Sequence, residues 1–169
     1  LSDAGTAAWF IFLNKTSFNG IWRVNQSGQY NVPYGRNKNP TICDAENLRA
    51  CSKALQGVEI LHQDFRKLPA RKHRGEFFYY DSPYVPVSAT ANFTSYTAEG
   101  FGPNDQLALR DLALWLKDQG AFVLLSNAGT DAVKKLYADP RFEIRSVAAR
   151  RAINSDASKR GAVKEFVIR

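Results

Sequence analysis

Residues 77–84 read FFYYDSPY and decide the fold. Their first half is aromatic and apolar, as expected of a strand inside a sheet. Their second half sets a carboxylate, a hydroxyl, a rigid proline and an aromatic ring at the point where that strand ends. Ligands of open α/β sheets bind just beyond the carboxyl ends of the strands. The stretch therefore predicts a buried strand with a compact polar site at its exit.

Strands and helices alternate on both sides of this stretch. The predicted elements are strands over 58–62, 77–80, 121–125, 142–147 and 163–168, with helices over 104–119 and 131–138. The continuous apolar run at 121–125 is typical of a strand covered on both faces of a sheet. The alternation of strands and helices indicates a doubly wound α/β core.

Polar groups follow three of the predicted strands. They are Asp64-Phe65, the tetrapeptide Asp81–Tyr84, and Ser126-Asn127. Because the carboxyl ends of parallel strands meet at one edge of a sheet, we expect these groups to form one constellation.

The N-terminal residues follow a different pattern. Ser2 or Asp3 is placed to cap a helix that ends near Gly20. Residues 21–35 alternate loosely between apolar and polar side chains and contain a Ser-Gly pair, which predicts a short β-hairpin. A further helix is expected over 44–56, with a glycine directly after it as a stop signal.

Charge points to the class of partner. The 169 residues carry a net charge of +7, which suits a polyanionic partner or, alternatively, a solvated basic surface. The basic residues cluster over 66–74 and 145–164, and this clustering favours nucleic acid. No apolar run approaches the roughly 20 residues needed to span a bilayer, so we expect no membrane partner.

The cysteines and histidines are too few and too scattered for two common kinds of site. Cys43 and Cys51 form no CxxC pair, and His62 and His73 are distant from each other in sequence. This pattern argues against a disulfide framework and against a zinc site, and it suits a reducing cytoplasm. We therefore expect no bound metal.

A longer motif connects these observations to a known family. Residues 80–96, YDSPYVPVSATANFTSY, closely resemble the Dam-type, D12 class DNA adenine methyltransferases, whose hallmark is DPPY followed by P-x-S-x-T-A-N-F-T-x-Y. Residues 18–23 and 30–36 resemble the DNA-recognition segment of that family, and Ser126-Asn127 and Arg150–Asn154 match in order and spacing. The resemblance covers essentially the whole chain.

The resemblance implies a partial Rossmann-like methyltransferase core and a bacterial or phage origin. The core, over 44–169, would use S-adenosylmethionine as its cofactor, and a small helix-and-hairpin subdomain over 1–43 would recognise double-stranded DNA. The implied activity is transfer of a methyl group to the N6 amine of adenine by a monomer. A catalytically degenerate or truncated DNA-binding module of the same family is the alternative.

The tetrapeptide carries the implied chemistry. The lone pair of an exocyclic amine is delocalised into the ring, so the amine is a poor nucleophile. The Asp81 carboxylate and the Ser82 carbonyl can each accept one N–H of that amine, while Pro83 stiffens the turn and Tyr84 stacks on the base. A base within a duplex cannot reach such a site, so the adenine has to be flipped out. If the flanking motif is ignored, the alternative interpretation is that Asp81 is a solvated carboxylate at a strand end and Tyr84 is an aromatic residue of the core.

Neighbouring methyltransferase classes fit less well. Cytosine-C5 methylation needs a nucleophilic cysteine, typically after a proline, and neither cysteine follows one. Cytosine-N4 and protein-glutamine methyltransferases share the D/S/N-P-P-Y site but lack the longer TANFT segment.

The resemblance also implies residues that bind the cofactor. Asp64-Phe65 is similar to an acidic–aromatic pair that contacts the adenine end of S-adenosylmethionine, and Asp81 would lie near the methionine end. A capping aspartate beside a core phenylalanine is the alternative interpretation of Asp64 and Phe65.

DNA-reading residues are implied in the same way. Phe18 and Asn19 match positions around the flipped base, and Ile21 and Pro33 match apolar positions that contact thymine methyl groups. Arg23 and Arg36 match arginines that bind guanine bidentately, which makes GATC the expected target. A hairpin with exposed arginines and a core Phe/Ile pair is the alternative.

Two departures from the family pattern carry their own expectations. Ser82 replaces a proline, so we expect reduced methyl transfer that a Ser82→Pro change should raise in single-turnover measurements. The glycine-rich F-x-G-x-G cofactor motif is missing, so we expect this chain to be the C-terminal portion of a larger protein and inactive alone. Methyl transfer by the isolated 169 residues would disprove that expectation.

Overall fold

The computed structural model describes residues 2–68, 71–86, 100–150 and 162–169. These residues divide into two compact units, and the division falls between His62 and Gln63. The functional assignment of residues 1–43 to recognition and 44–169 to catalysis stays a prediction.

The first unit contains the two helices that were predicted for it. Helix α1 spans Asp3–Thr16, and the Ser2 hydroxyl caps it by accepting a hydrogen bond from the Gly5 amide at 3.2 Å. A 3₁₀ turn, Phe18–Gly20, follows directly. Helix α2 spans Ala45–Ala54 and is capped by the Asp44 side chain. Both helix predictions are confirmed.

The chain reverses where the β-hairpin was predicted, but the residues on either side of the reversal do not form strands. The Asn25 amide donates to the Gln29 carbonyl at 2.9 Å, but the two arms share a single bridge, Val24 to Tyr30. The returning arm instead pairs with the chain that leaves α1, because Pro33 has no amide to continue a ladder and its carbonyl accepts from the Phe18 amide.

The second unit is built on a four-stranded mixed sheet. Its strands are β1, Phe77–Tyr80; β2, Phe122–Ala128; β3, Ile144–Arg150; and β4, Ala162–Ile168. Their order is β1-β2-β4-β3, with β1 and β2 parallel and the other two pairings antiparallel. The predicted α/β class is confirmed, whereas the doubly wound, Rossmann-like arrangement of the core stays a prediction.

Helices cover one face of this sheet. Helix α3 spans Pro103–Asp118, and a shorter helix, α4, spans Asp131–Leu136. The apolar stripe Leu109, Ala113 and Leu116 on α3 is buried with Leu125 and Phe166 of the sheet in one core. Burial of such side chains is the main stabilising term of the unit.

The opposite side of β1 and β2 is open within the described residues. Phe77 and Phe122 lie opposite each other in the parallel register, and they are 65% and 66% exposed. The strand predicted at 121–125 was expected to be covered on both faces of the sheet. That expectation is wrong at Phe122, because the buried core lies against the other face.

The predicted strand over 58–62 is wrong. This segment has no strand hydrogen bonds, and Val58, Ile60 and Leu61 are exposed. A strand requires a neighbouring strand to pair its amides and carbonyls, and no strand in the described ranges pairs with this segment.

Across those same ranges, no helix combines the length and apolar character that a membrane crossing requires.

Candidate functional site

The predicted site forms where β1 ends beside β2. Tyr80 pairs with Leu125 in the parallel register, so the next residues, Asp81 and Ser126, are neighbours. The buried Ser126 hydroxyl donates to Asp81 Oδ1 at 2.9 Å, while the Asp81 residue itself is exposed. The sheet therefore holds the carboxylate from one side and leaves it accessible from the other.

Tyr84 follows Asp81 by three residues and is partly buried. Its hydroxyl donates to Glu165 Oε2 on β4 at 3.2 Å. Burial raises the pKa of the Tyr84 phenol, so the hydroxyl remains a neutral donor at physiological pH. The hydrogen bond orients the ring from its outer end.

Two buried amide side chains hold the backbone on either side of Tyr84. Gln106 Nε2, on α3, donates to the Pro83 carbonyl at 2.7 Å. The Val85 amide donates to Asn127 Oδ1, on β2, at 2.9 Å. Asn127 Nδ2 also donates to Gln106 Oε1 at 3.2 Å, which links the two side chains. We call Gln106 and Asn127 the amide clamp.

Asn127 was among the residues predicted at this sheet edge but had no assigned role, and Gln106 was not predicted. A signal was present: Gln106 precedes Leu109, Ala113 and Leu116 by three, seven and ten residues, so it lies on the buried stripe of α3. A polar side chain on an apolar stripe needs a buried partner, because an unpaired polar group inside a protein is costly.

Ser82 lies between the carboxylate and the clamp. Its hydroxyl oxygen is buried and has no hydrogen-bond partner within the described residues. No described residue donates to the Ser82 carbonyl either.

Asp64 and Phe65 lie in a turn that is tied to the start of α3. Arg66 binds both oxygens of Asp64 at 2.8 Å and also pairs with Asp105. The Phe65 ring contacts the Phe101 ring at a centroid distance of 5.8 Å. The structure brings the tetrapeptide together with Ser126-Asn127, but no described hydrogen bond joins it to Asp64 or Phe65.

The predicted DNA-reading residues all lie in the first unit. The Phe18 amide donates to the Pro33 carbonyl at 2.9 Å, and the Ile21 carbonyl accepts from the Tyr30 hydroxyl at 3.3 Å. The first of these bonds places Phe18 and Pro33 side by side, and both residues are exposed.

The surroundings of the two predicted guanine-reading arginines, Arg23 and Arg36, differ. The Arg23 guanidinium donates to the side-chain oxygen of Asn31 at 2.9 Å and to its carbonyl at 3.1 Å. Arg36 is exposed and has a φ of 53°, and Asn19 has a φ of 54°. Left-handed backbone at a residue other than glycine is uncommon and clusters at functional sites, although asparagine tolerates it better than arginine.

Some predicted motif positions lie outside the described residues. They are the polar segment that follows Pro86, which includes the TANFT letters, and the stretch Arg151–Asn154.

Comparison with known proteins agrees with the resemblance. Residues 1–153 match the model of the D12 class N6 adenine-specific DNA methyltransferase family. The chain is 40% identical over 170 residues to Type II methyltransferase M1.LlaDCHI of Lactococcus lactis subsp. cremoris, covering 99% of this chain and 59% of that protein.

Two further relatives are similar. Type II methyltransferase M.MjaIII of Methanocaldococcus jannaschii is 46% identical over 154 residues, which cover 90% of this chain and 53% of that protein. The DNA adenine methylase of Escherichia coli K12 is 35% identical over 161 residues, which cover 95% of this chain and 57% of that protein. The chain thus spans a little over half the length of the relatives that it matches.

Proposed function

Because the chain belongs to the D12 class of N6 adenine-specific DNA methyltransferases, we propose that its tetrapeptide serves methyl transfer to the N6 amine of adenine in double-stranded DNA. The observation that carries the proposal is the Asp81 carboxylate, held by Ser126 Oγ at 2.9 Å and exposed at the carboxyl end of β1. A carboxylate in this setting accepts hydrogen bonds and is not consumed in a structural ion pair among the described residues.

The chain supplies two acceptors for the two protons of the amine. Asp81 offers its carboxylate, and Ser82 offers a carbonyl that no described residue occupies. Accepting both N–H groups weakens the conjugation of the nitrogen lone pair with the ring, so the nitrogen becomes a better nucleophile. Fixed acceptors do this without reorganising during the reaction.

Tyr84 provides the surface on which the base rests. Its ring is partly buried, and Glu165 holds its hydroxyl at 3.2 Å. Stacking of a base on an aromatic side chain contributes about 1–3 kcal/mol. A base inside a duplex cannot reach Asp81 and Tyr84, so the adenine is flipped out of the helix.

S-adenosylmethionine is the methyl donor that we propose, and when bound it supplies an electrophilic methyl group on a sulfonium. The chemistry of the donor set fits this cofactor. Asp64 keeps lone pairs beyond those that Arg66 occupies, so it can accept from a hydroxyl or an amine, and Phe65 offers an apolar ring. Asp81 is the third cofactor contact that we propose.

We propose GATC as the target. The support is the order of the six matching positions in the first unit, together with the exposure of Arg23 and Arg36, since a bidentate arginine selects guanine in the major groove. The surplus of positive charge supplies contacts to phosphates that do not depend on sequence.

The test uses the protein that carries this chain, with S-adenosylmethionine labelled in its methyl group. One duplex contains GATC, and a control duplex has the same bases permuted to GTAC. We expect label in N6-methyladenine on the first duplex alone. A Tyr84→Ala change should lower the rate about 5- to 150-fold, the equivalent of 1–3 kcal/mol of stacking, whereas Tyr84→Phe should retain most of it.

Label in cytosine, or equal label in both duplexes, would contradict the proposed reaction or the proposed target. Calorimetric titration with the cofactor separates the enzyme from a DNA-binding module. Micromolar binding supports the enzyme, and DNA binding without cofactor binding supports the module.

A further inference from the structure

The amide clamp acts on the main chain of the site and not on its side chains. Gln106 holds the Pro83 carbonyl, and Asn127 holds the Val85 amide, so the two contacts flank Tyr84. Gln106 is 5% exposed and Asn127 is 1% exposed. Both are fixed on regular elements, α3 and β2, which position a site more accurately than loops do.

Each side-chain oxygen and nitrogen of the clamp has a hydrogen-bond partner. Asn127 Oδ1 accepts from the Val85 and Ala128 amides, and Asn127 Nδ2 donates to Gln106 Oε1. Buried amides that only fill space would be replaced at low cost by apolar side chains of the same shape. These amides instead satisfy backbone groups of the residues that follow Ser82.

Ser82 explains why such a restraint matters. A proline at this position fixes φ, and a serine does not. The Ser82 hydroxyl makes no hydrogen bond within the described part of the chain, so it does not restrain its own backbone. The side chains that hydrogen-bond to the backbone after Ser82 are those of the clamp, one and three residues further along.

We propose that Gln106 and Asn127 are positioning residues that supply the restraint a proline at position 82 would give. By holding residues 83 and 85, they keep the Ser82 carbonyl and the Tyr84 ring in place relative to Asp81. The role in catalysis rests on the proposed function of this site, whereas the restraint itself can be measured without any activity.

The first experiment measures the restraint directly in the protein that carries this chain. Hydrogen exchange of the Val85 amide is followed by NMR in the unmodified chain, in Gln106→Met and in Asn127→Ala. The control is Leu116→Ala, which removes core contacts on the same helix about 15 Å away. We expect exchange at Val85 to accelerate at least about tenfold more in the clamp variants than in the control.

Equal acceleration in the clamp variants and in Leu116→Ala would overturn the proposal, because the clamp would then contribute only general stability. If Asn127→Ala does not fold, Gln106→Met decides, since methionine nearly keeps the volume and removes only the amide.

The second experiment tests the link to Ser82 in the protein that carries this chain. We expect Gln106→Met to lower the single-turnover rate about 10- to 100-fold, because small misplacements of reacting groups have effects of this size. The dissociation constant for DNA should change much less than this rate, because the variant leaves the residues proposed to read the duplex unaltered. Ser82→Pro should raise the rate by a larger factor in Gln106→Met than in the unmodified protein.

Equal factors for Ser82→Pro in both backgrounds would overturn the proposal, since independent effects multiply. Absence of methyl transfer from the unmodified protein would instead contradict the proposed function, and hydrogen exchange at Val85 would still decide whether the clamp restrains the backbone.

Discussion

The reading segment, residues 18–36, and the tetrapeptide site are held in place by different means. In the described residues up to His62, the buried side chains are the polar Thr16 and Ser17. The tetrapeptide site instead adjoins a core of leucine, valine, phenylalanine and isoleucine side chains, and buried amides fasten its backbone to that core.

The reading segment depends on hydrogen bonds and ring contacts near its base. The Gly35 amide donates to the Thr16 carbonyl at 2.8 Å, and the Tyr30 hydroxyl donates to Ser17. Trp22 contacts the Trp9 and Tyr30 rings at centroid distances of 5.9 and 5.0 Å. Five of the six residues that would read bases are left exposed, and the sixth, Ile21, is partly buried.

The two proposed tasks make opposite demands on the structure. Transfer of a methyl group requires acceptors that do not move, and an apolar core with buried hydrogen bonds provides them. Reading of a duplex requires accessible side chains on a segment that the rest of the unit merely orients. We therefore expect the reading segment to open more readily than the sheet.

The largest effect is expected in the core next to the tetrapeptide. Leu125 is 1% exposed on β2, so Leu125→Ala removes buried methyl groups and leaves a cavity. We expect a loss of about 2–5 kcal/mol in the free energy of unfolding. Leu107→Ala, at an exposed position of α3, is the control and should change it by less than about 0.5 kcal/mol.

Hydrogen exchange of the β2 and β4 amides measures both changes. If Leu125→Ala lowered the free energy of unfolding no more than Leu107→Ala does, the view that the apolar core holds the tetrapeptide site in place would be contradicted.

The next effect concerns the reading segment. Arg23→Ala should lower discrimination against a wrong base at one guanine position by about 1–3 kcal/mol. Affinities are compared at fixed salt for GATC and for duplexes with single replacements. Arg49→Ala, an exposed arginine on α2, removes the same charge and should weaken all duplexes alike. A uniform loss from Arg23→Ala would show that Arg23 contacts only phosphates.

The smallest effect concerns how the segment is fastened. Tyr30→Phe removes a hydroxyl that donates to the buried Ser17, and we expect a cost of about 0.5–1.5 kcal/mol. Exchange of the Gly35 amide reports it. Tyr34→Phe is the control, because the Tyr34 hydroxyl makes no hydrogen bond within the described residues and its side chain is 66% exposed. Identical exchange in both variants would contradict the proposed fastening.

Local signals made the helices and the tetrapeptide predictable. The Ser2 cap is recognisable from a few neighbouring residues, and it lies where α1 begins. FFYYDSPY likewise contains both the strand and the site in one stretch.

Pairings between distant residues were not predictable in the same way. The strand expected at 58–62 failed because periodicity does not reveal whether a partner strand is present. Gln106 meets Pro83 across 23 residues, and Tyr84 meets Glu165 across 81 residues. No local pattern encodes such contacts, which depend on how α3 and β4 are placed against the sheet.

We propose above that Asp81 accepts an N–H of the adenine N6 amine while that nitrogen receives the methyl group. The most direct measurement is the rate of N6-methyladenine formation in a GATC duplex, by nucleoside mass spectrometry, for the protein that carries this chain and for its Asp81→Ala variant. Asp111→Ala, an exposed carboxylate on α3, is the control. We predict a loss of about 100- to 1000-fold for Asp81→Ala and none for the control. Undiminished N6-methyladenine from Asp81→Ala would contradict the claim.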